Sequence, residues 1–256
     1  MHFLDVLIFG VVEGITEFLP VSSTGHLMLT AKLLKISQSE FIKSFQIAIQ
    51  LGAVLSVVIL YWNKLIESRR IWKRLLIAFL PAAFIGGLLY TTIKRYLLGN
   101  NEVVLWSLLA GGLFLIVFEL FHHEKEDATE ELSGISYLQA LIIGLFQSVA
   151  IIPGVSRAAA TIIGGLAVGL KRKTIVEFSF LLAVPTMLAA TTLDLFKSAQ
   201  IFTPDQFVFL GAGFIISFLV AIIAIKFLLA FIKRHSFIPF GIYRIIISLV
   251  FWFILK

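Results

Sequence analysis

The chain has 256 residues and not one cysteine. Disulfides, thiolate nucleophiles and cysteine-bound metals are therefore excluded. Charge is also sparse: Asp, Glu, Lys and Arg make up 14% of residues, against about 25% in an ordinary soluble domain. A basic segment ahead of the first apolar stretch is missing, and that stretch carries Asp5, Glu13 and Glu17, so no cleavable signal is expected. What fills the chain is apolar. It is 59% hydrophobic with 25 phenylalanines and a mean hydropathy of +1.02. That composition predicts an all-α polytopic membrane protein. The net charge of +6 lies mostly in short loops, where it reports topology and is not a nucleic-acid footprint.

Six apolar runs predict membrane spans, at about 45–62, 75–93, 103–121, 174–196, 207–229 and 240–255, the last short against the usual ~20 residues. Two further regions, about 3–34 and 137–170, read as helix–break–helix. After the first break only Leu27–Leu34 follows before Lys35, too short to cross. These regions are expected to be two re-entrant hairpins, since irregular backbone at membrane depth must be buried in protein or line a wet cavity. At an offset of 134, Gly10 aligns with Gly144, Glu13 with Gln147, Val21 with Val155, Ser22 with Ser156 and Ser23 with Arg157. Three spans separate the hairpins, so the second enters from the opposite side. One integral membrane domain over 1–256 is expected, as an inverted repeat of about 1–121 and 137–256. If 63–74, 122–136, 171–173 and 230–239 face the cytoplasm, the inside segments hold 11 Lys/Arg and the outside segments 7, a modest bias in the expected direction. The acidic run at 124–131 reads as a solvated loop, with His122 and His123 at its interfacial border.

The polar residues of the breaks carry the chemistry. Intramembrane ionisable groups are costly and read as functional by default. Glu13 and Glu17, four apart, share one helix face. Pro20 then stops the helix, and Ser22, Ser23 and Thr24 suit the cap of the next, with His26 in its first turn. In the second break, Ser156 caps a helix whose free backbone donors and dipole favour an anion. Arg157 adds a planar fork for phosphate oxygens, and Thr161 shares its helical face. Two such helix ends with one arginine make a polyanion site. Two carboxylates beside it are resolved by a divalent cation that bridges them to phosphate.

Glu13-Gly-Ile-Thr-Glu17-Phe-Leu-Pro-Val-Ser-Ser-Thr-Gly-His26 and Pro153-Gly-Val-Ser-Arg157-x-x-x-Thr161 closely resemble the two signature motifs of the bacterial undecaprenyl-pyrophosphate phosphatases of the bacitracin-resistance type. Glu177-Phe-Ser-Phe-Leu-Leu-Ala-Val-Pro185 and Leu193-Asp194-Leu195 resemble that family too. The likeness runs through essentially the whole chain. Ala158 and Ala159 stand where the family usually has Ser-Gly, and Gln46 where it often has glutamate.

The resemblance implies an enzyme of the bacterial cytoplasmic membrane that cuts the terminal phosphate from a C55 isoprenoid pyrophosphate. The monophosphate carrier it leaves serves cell-wall synthesis. A requirement for Mg²⁺ or Ca²⁺ and a site open to the outer face are also implied. On chemical grounds Glu13 and Glu17 serve as metal ligands, or one as ligand and one as base. Ser22, Thr24, Gly154, Ser156, Arg157 and Thr161 are expected to hold the substrate. Ser23, aided by His26 or a glutamate, is the favoured nucleophile; His26 itself, or a water it activates, is the alternative. Gln46, Gln50 and Gln147 are expected to support this set or to bond between helices. Glu177 and Asp194 read as interfacial, and Arg244 either snorkels or pairs with an acid. The competing function is transport or flipping of a phosphorylated isoprenoid lipid, because inverted repeats and midplane charges are carrier features. A carrier needs only binding, whereas crowded carboxylates, hydroxyls and a histidine favour hydrolysis. A second copy of the chain is a compatible partner.

Overall fold

A computed structural model describes residues 1–37, 39–67, 69–89, 97, 100–198 and 204–254. Among these residues the chain is all α. In chain order the helices are α1 (Phe3–Thr16), α2 (Ser23–Leu33), α3 (Glu40–Leu60), α4 (Trp62–Glu67), α5 (Arg69–Leu88), α6 (Asn101–Phe121), α7 (Tyr137–Val149), α8 (Arg157–Ala167), α9 (Arg172–Ser198), α10 (Pro204–Phe231) and α11 (Ile238–Ile254). Four stretches, Phe41–Leu60, Arg69–Leu88, Asn101–Phe121 and Gln206–Phe231, are long and apolar enough to cross a bilayer. The protein is a polytopic membrane protein.

Each expected span lies on a helix, with shifted ends. α5 starts at Arg69, well before the apolar run, because Arg70, Lys73 and Arg74 extend its first turns past the apolar zone. α3 starts early because Ser39 Oγ accepts from the Ile42 amide at 3.3 Å. α9 is 27 residues long, or about 40 Å. α11 has 17, or about 25 Å. Part of the expected span at 75–93 and the tip at 255 lie outside the described residues, as does the side chain of Asp194.

The packing follows from small residues at the crossings. α10 packs on α1 and α3, α5 on α7 and α9, α3 on α9, and α6 on α11. A β-carbon at Gly14 would sit 2.7 Å from the Ser217 carbonyl of α10, and one at Gly144 would sit 2.3 Å from the Ala78 carbonyl of α5. Only glycine permits these approaches. Phe18 and Phe180 meet edge to face at 5.2 Å in the largest core cluster, which takes in Phe18, Leu19 and Val21 at the first break and Ala158 just after the second.

One end of the bundle is tied by loop contacts. Lys64 pairs with Glu177 at 2.7 Å. Arg74 donates to the carbonyls of Ile135 and Ser133. Arg172 Nη1 donates to both oxygens of Glu119 at 2.6 and 2.8 Å and lies over the Phe237 ring at 5.7 Å. Lys171 pairs with Glu130 and holds that carboxyl below its usual range, chiefly through the hydrogen bond. The segments around 63–74, 122–136, 171–173 and 237 are thereby joined in one network. Glu177 is buried apart from this pairing with Lys64. The charged residues of the acidic run are exposed while Ala128 is buried, and Glu124 also lies near Arg172.

Candidate active site

Both breaks are built the same way. α1 ends at Thr16, and its last orphan carbonyls run into the turn around Pro20, which has no donor to continue the helix. Ser22 then adopts φ 74°, ψ 90° and its hydroxyl accepts from the Gly25 amide at 3.3 Å. In the second break Gly154 has φ 95°. Ser156 follows with φ 77°, ψ 114°, and its hydroxyl accepts from the Ala159 amide at 3.2 Å. A serine at positive φ costs on the order of 1–3 kcal/mol and persists only where its surroundings over-determine it. The cap is part of that determination, worth about 1 kcal/mol.

The breaks meet through one carboxylate. Ser23 Oγ donates to Glu17 Oε2 at 2.5 Å. Arg157 Nη2 donates to Glu17 Oε1 at 3.3 Å, with side-chain exposures of 8% and 3%. Arg157 Nη1 donates to the Ser179 carbonyl on α9 at 2.7 Å, while its Nε is buried without a partner. Thr161 donates to its own helix and shares a 2.7 Å bond with Ser179 Oγ, so its hydroxyl is already engaged. Glu13 is wholly buried, neither carboxyl oxygen has a partner, and it lies within electrostatic reach of Glu17 and Arg157. Buried polar groups are rarely left so.

His26 is held at both ring nitrogens. Nδ1 lies 2.8 Å from the Ser22 carbonyl and Nε2 2.8 Å from the Tyr243 hydroxyl, the two rings being parallel within 5°. A carbonyl only accepts, so Nδ1 carries the proton, and a neutral ring takes a hydrogen bond from Tyr243 at Nε2.

The structure thus gathers Glu13, Glu17, Ser22, Ser23, His26, Ser156 and Arg157 around the two breaks. Thr24 is exposed on the first turn of α2. Gln147 is buried with both amide atoms unpartnered, and Gln46 Nε2 likewise; Gln50 is half-buried. Among the described residues none of the three glutamines bonds to the charged set. Arg244 neither snorkels nor pairs with an acid: it is 0% exposed and bonds only to backbone carbonyls among the described residues. A lone arginine in an apolar helix was its sequence signal. Tyr243 and Ser179 gave none, since a tyrosine or serine in an apolar helix is common.

The profile of the bacitracin resistance protein BacA family matches residues 6–250. The undecaprenyl-diphosphatase of Aquifex aeolicus is 52% identical over 247 residues, 96% of each chain. That of Persephonella marina is 50% identical over 98% of each chain. The enzyme of Wolinella succinogenes is 47% identical over 255 residues, covering 100% of this chain and 99% of its own. With the paired serine-capped breaks in place within the matched region, the chain belongs to the bacitracin resistance protein BacA family.

Proposed function

We propose that the protein is an undecaprenyl-diphosphatase, removing the terminal phosphate of undecaprenyl diphosphate. The carrying observation is the bridge at Glu17, whose two oxygens take the Ser23 hydroxyl and the Arg157 guanidinium. A hydroxyl already bonded to a carboxylate has its base in place. Ser23 Oγ attacks the terminal phosphorus as its proton passes to Glu17. The bond to the bridging oxygen breaks, and undecaprenyl phosphate leaves with the electron pair and takes the proton from Glu17. Water then attacks the phosphoserine, giving its proton to Glu17, and inorganic phosphate departs as Ser23 recovers that proton. The unpartnered Nε–H of Arg157 and the capped ends of α2 and α8 face the charge that develops. His26, engaged at both nitrogens, serves as a positioned group and not as the base for Ser23.

The orphaned oxygens of Glu13 fit a divalent cation, Mg²⁺ or Ca²⁺, with the remaining lone pairs of Glu17 as a second donor. Such an ion supplies charge neutralisation to the phosphate oxygens.

Six crossings and two re-entrant hairpins, arranged as an inverted repeat in one membrane domain, fit the packing. The pairs α10 with α1 and α3 correspond to α5 with α7 and α9, while α6–α11 and α3–α9 pair across the halves. The matched backbone of Ser22 and Ser156 supports the same repeat. The network of basic loops then faces the cytoplasm of a bacterial cell and the site opens outward.

The test is phosphate release from a long-chain prenyl pyrophosphate by purified protein in detergent. Turnover is expected to vanish with chelator and return with added Mg²⁺ or Ca²⁺. No release under any metal condition would overturn the assignment, and full activity in verified metal-free chelator would remove the cation alone.

A further inference from the structure

Arg244 sits in α11 and is fully buried. Its guanidinium donates to five carbonyls. Nη1 reaches Pro20 at 3.4 Å and Val155 at 2.9 Å; Nη2 reaches Gly154 and Ser107, each at 3.0 Å; Nε reaches Leu108 at 3.4 Å. Pro20 belongs to the first break, Gly154 and Val155 to the second, and Ser107 and Leu108 to α6. Among the described residues no carboxylate pairs with it. The slot is built for this side chain. A β-carbon at Gly111 would fall 2.1 Å from Nη2, and its three nearest neighbours would all be atoms of the Arg244 guanidinium. Gly112 and Gly241 let α6 and α11 approach closely enough to insert the side chain: a β-carbon on either would sit under 3 Å from the other's carbonyl.

Burying a guanidinium without a counter-ion is costly unless its donors are filled, and here three of the five acceptors belong to the turns that present the serines and two to α6. Pro20 is two residues before Ser22; Val155 immediately precedes Ser156. The rigid planar fork can bind several carbonyls in a fixed geometry, which a lysine ammonium cannot.

We infer that Arg244 is a positioning residue for the phosphatase reaction, clamping the two helix breaks in register so that Ser23–Glu17 from one faces Arg157 from the other, and leaving one uncompensated positive charge beside the pyrophosphate. This rests on the two breaks forming the active site.

The test compares Arg244→Lys, Arg244→Gln and Gly111→Ala in the full chain in detergent. Gly111→Ala keeps the arginine but displaces its guanidinium. Binding sites are titrated with a non-hydrolysable prenyl pyrophosphonate, and turnover is expressed per binding site, beside the thermal midpoint. Arg244→Lys and Gly111→Ala should lower turnover per site at least about tenfold, as misplaced catalytic groups do, with KM changed less than about threefold. Arg244→Gln should lose turnover equally and also bind the analogue more weakly. Unchanged turnover per site in Gly111→Ala, with only fewer sites or a lower midpoint, would overturn the proposal and leave Arg244 a packing element; that variant decides the matter if the Arg244 variants do not fold. Failure of the underlying site reading shows separately, as normal turnover in both Ser23→Ala and Arg157→Ala.

Discussion

The guanidinium of Arg157 meets the carboxylate of Glu17 at 3.3 Å although 140 residues of chain separate them. Each residue comes from a different break, so their contact joins the two breaks directly. The pair is buried, and Arg157 keeps a free Nε donor. Arg157→Lys retains the charge but loses the fork that can hold Glu17, the Ser179 carbonyl and a phosphate oxygen at once. Turnover should fall clearly in Arg157→Lys and about a hundredfold or more in Arg157→Ala, on the order of 3 kcal/mol. Steady-state phosphate release for both variants checks this; wild-type rates in Arg157→Ala would place the anion site elsewhere.

Ser23→Ala should abolish turnover while leaving binding of a substrate analogue within about threefold, because the hydroxyl is assigned to attack and not to anchoring. Glu17→Gln should lose about 10²–10⁴-fold through removal of the base. The amide can still accept from Arg157, so the fold should survive. Parallel binding and rate measurements separate the two effects. Near-normal rates in Ser23→Ala would remove Ser23 as nucleophile and return the role to His26 or water.

Tyr243→Phe takes away the hydroxyl that meets His26 Nε2 at 2.8 Å. A neutral hydrogen bond of this kind contributes about 1 kcal/mol, and His26 keeps its second tether to the Ser22 carbonyl. Turnover should drop roughly five- to tenfold, with a small fall in thermal midpoint. An identical rate in Tyr243→Phe would show that the orientation of His26 does not depend on this bond.

The absence of cysteine makes topology directly testable. Single cysteines at Asn63 and His235, both exposed, should be labelled by a membrane-impermeant thiol reagent only when the cytoplasmic side is accessible. A cysteine at Ser37, also exposed, should be labelled from the outer side. Labelling of Asn63→Cys and His235→Cys from opposite sides would break the inverted-repeat arrangement.

Much of this was legible in the residues themselves. Apolar runs located the helices, because membrane spans carry the strongest one-dimensional signal in any sequence. Polar residues at Glu13, Glu17, Ser22, Ser23 and Arg157 marked the two breaks that the structure brings together, because such groups are conspicuous in apolar surroundings. Helix ends were less legible: α5 runs through basic residues that hydropathy excludes, and Ser39 starts α3 early. The base for Ser23 was left between His26 and a glutamate, since both lie within six residues of Ser23; only the turn geometry hands the hydroxyl to Glu17. Arg244 was visible as an anomaly, but its partners are backbone carbonyls, which every residue has and no sequence pattern marks.

The buried arginine of α11 has a consequence for the order of events during synthesis. The ribosome makes Glu17 and Ser23 early, Arg157 past the middle, and Arg244 only after the other ten described helices. A nascent chain therefore carries all the reacting groups before it carries the side chain that holds their turns together. On these assignments a chain halted before Ile238 contains the whole reacting set with its fastening missing, and activity is expected with the last of these helices and not gradually as the chain lengthens.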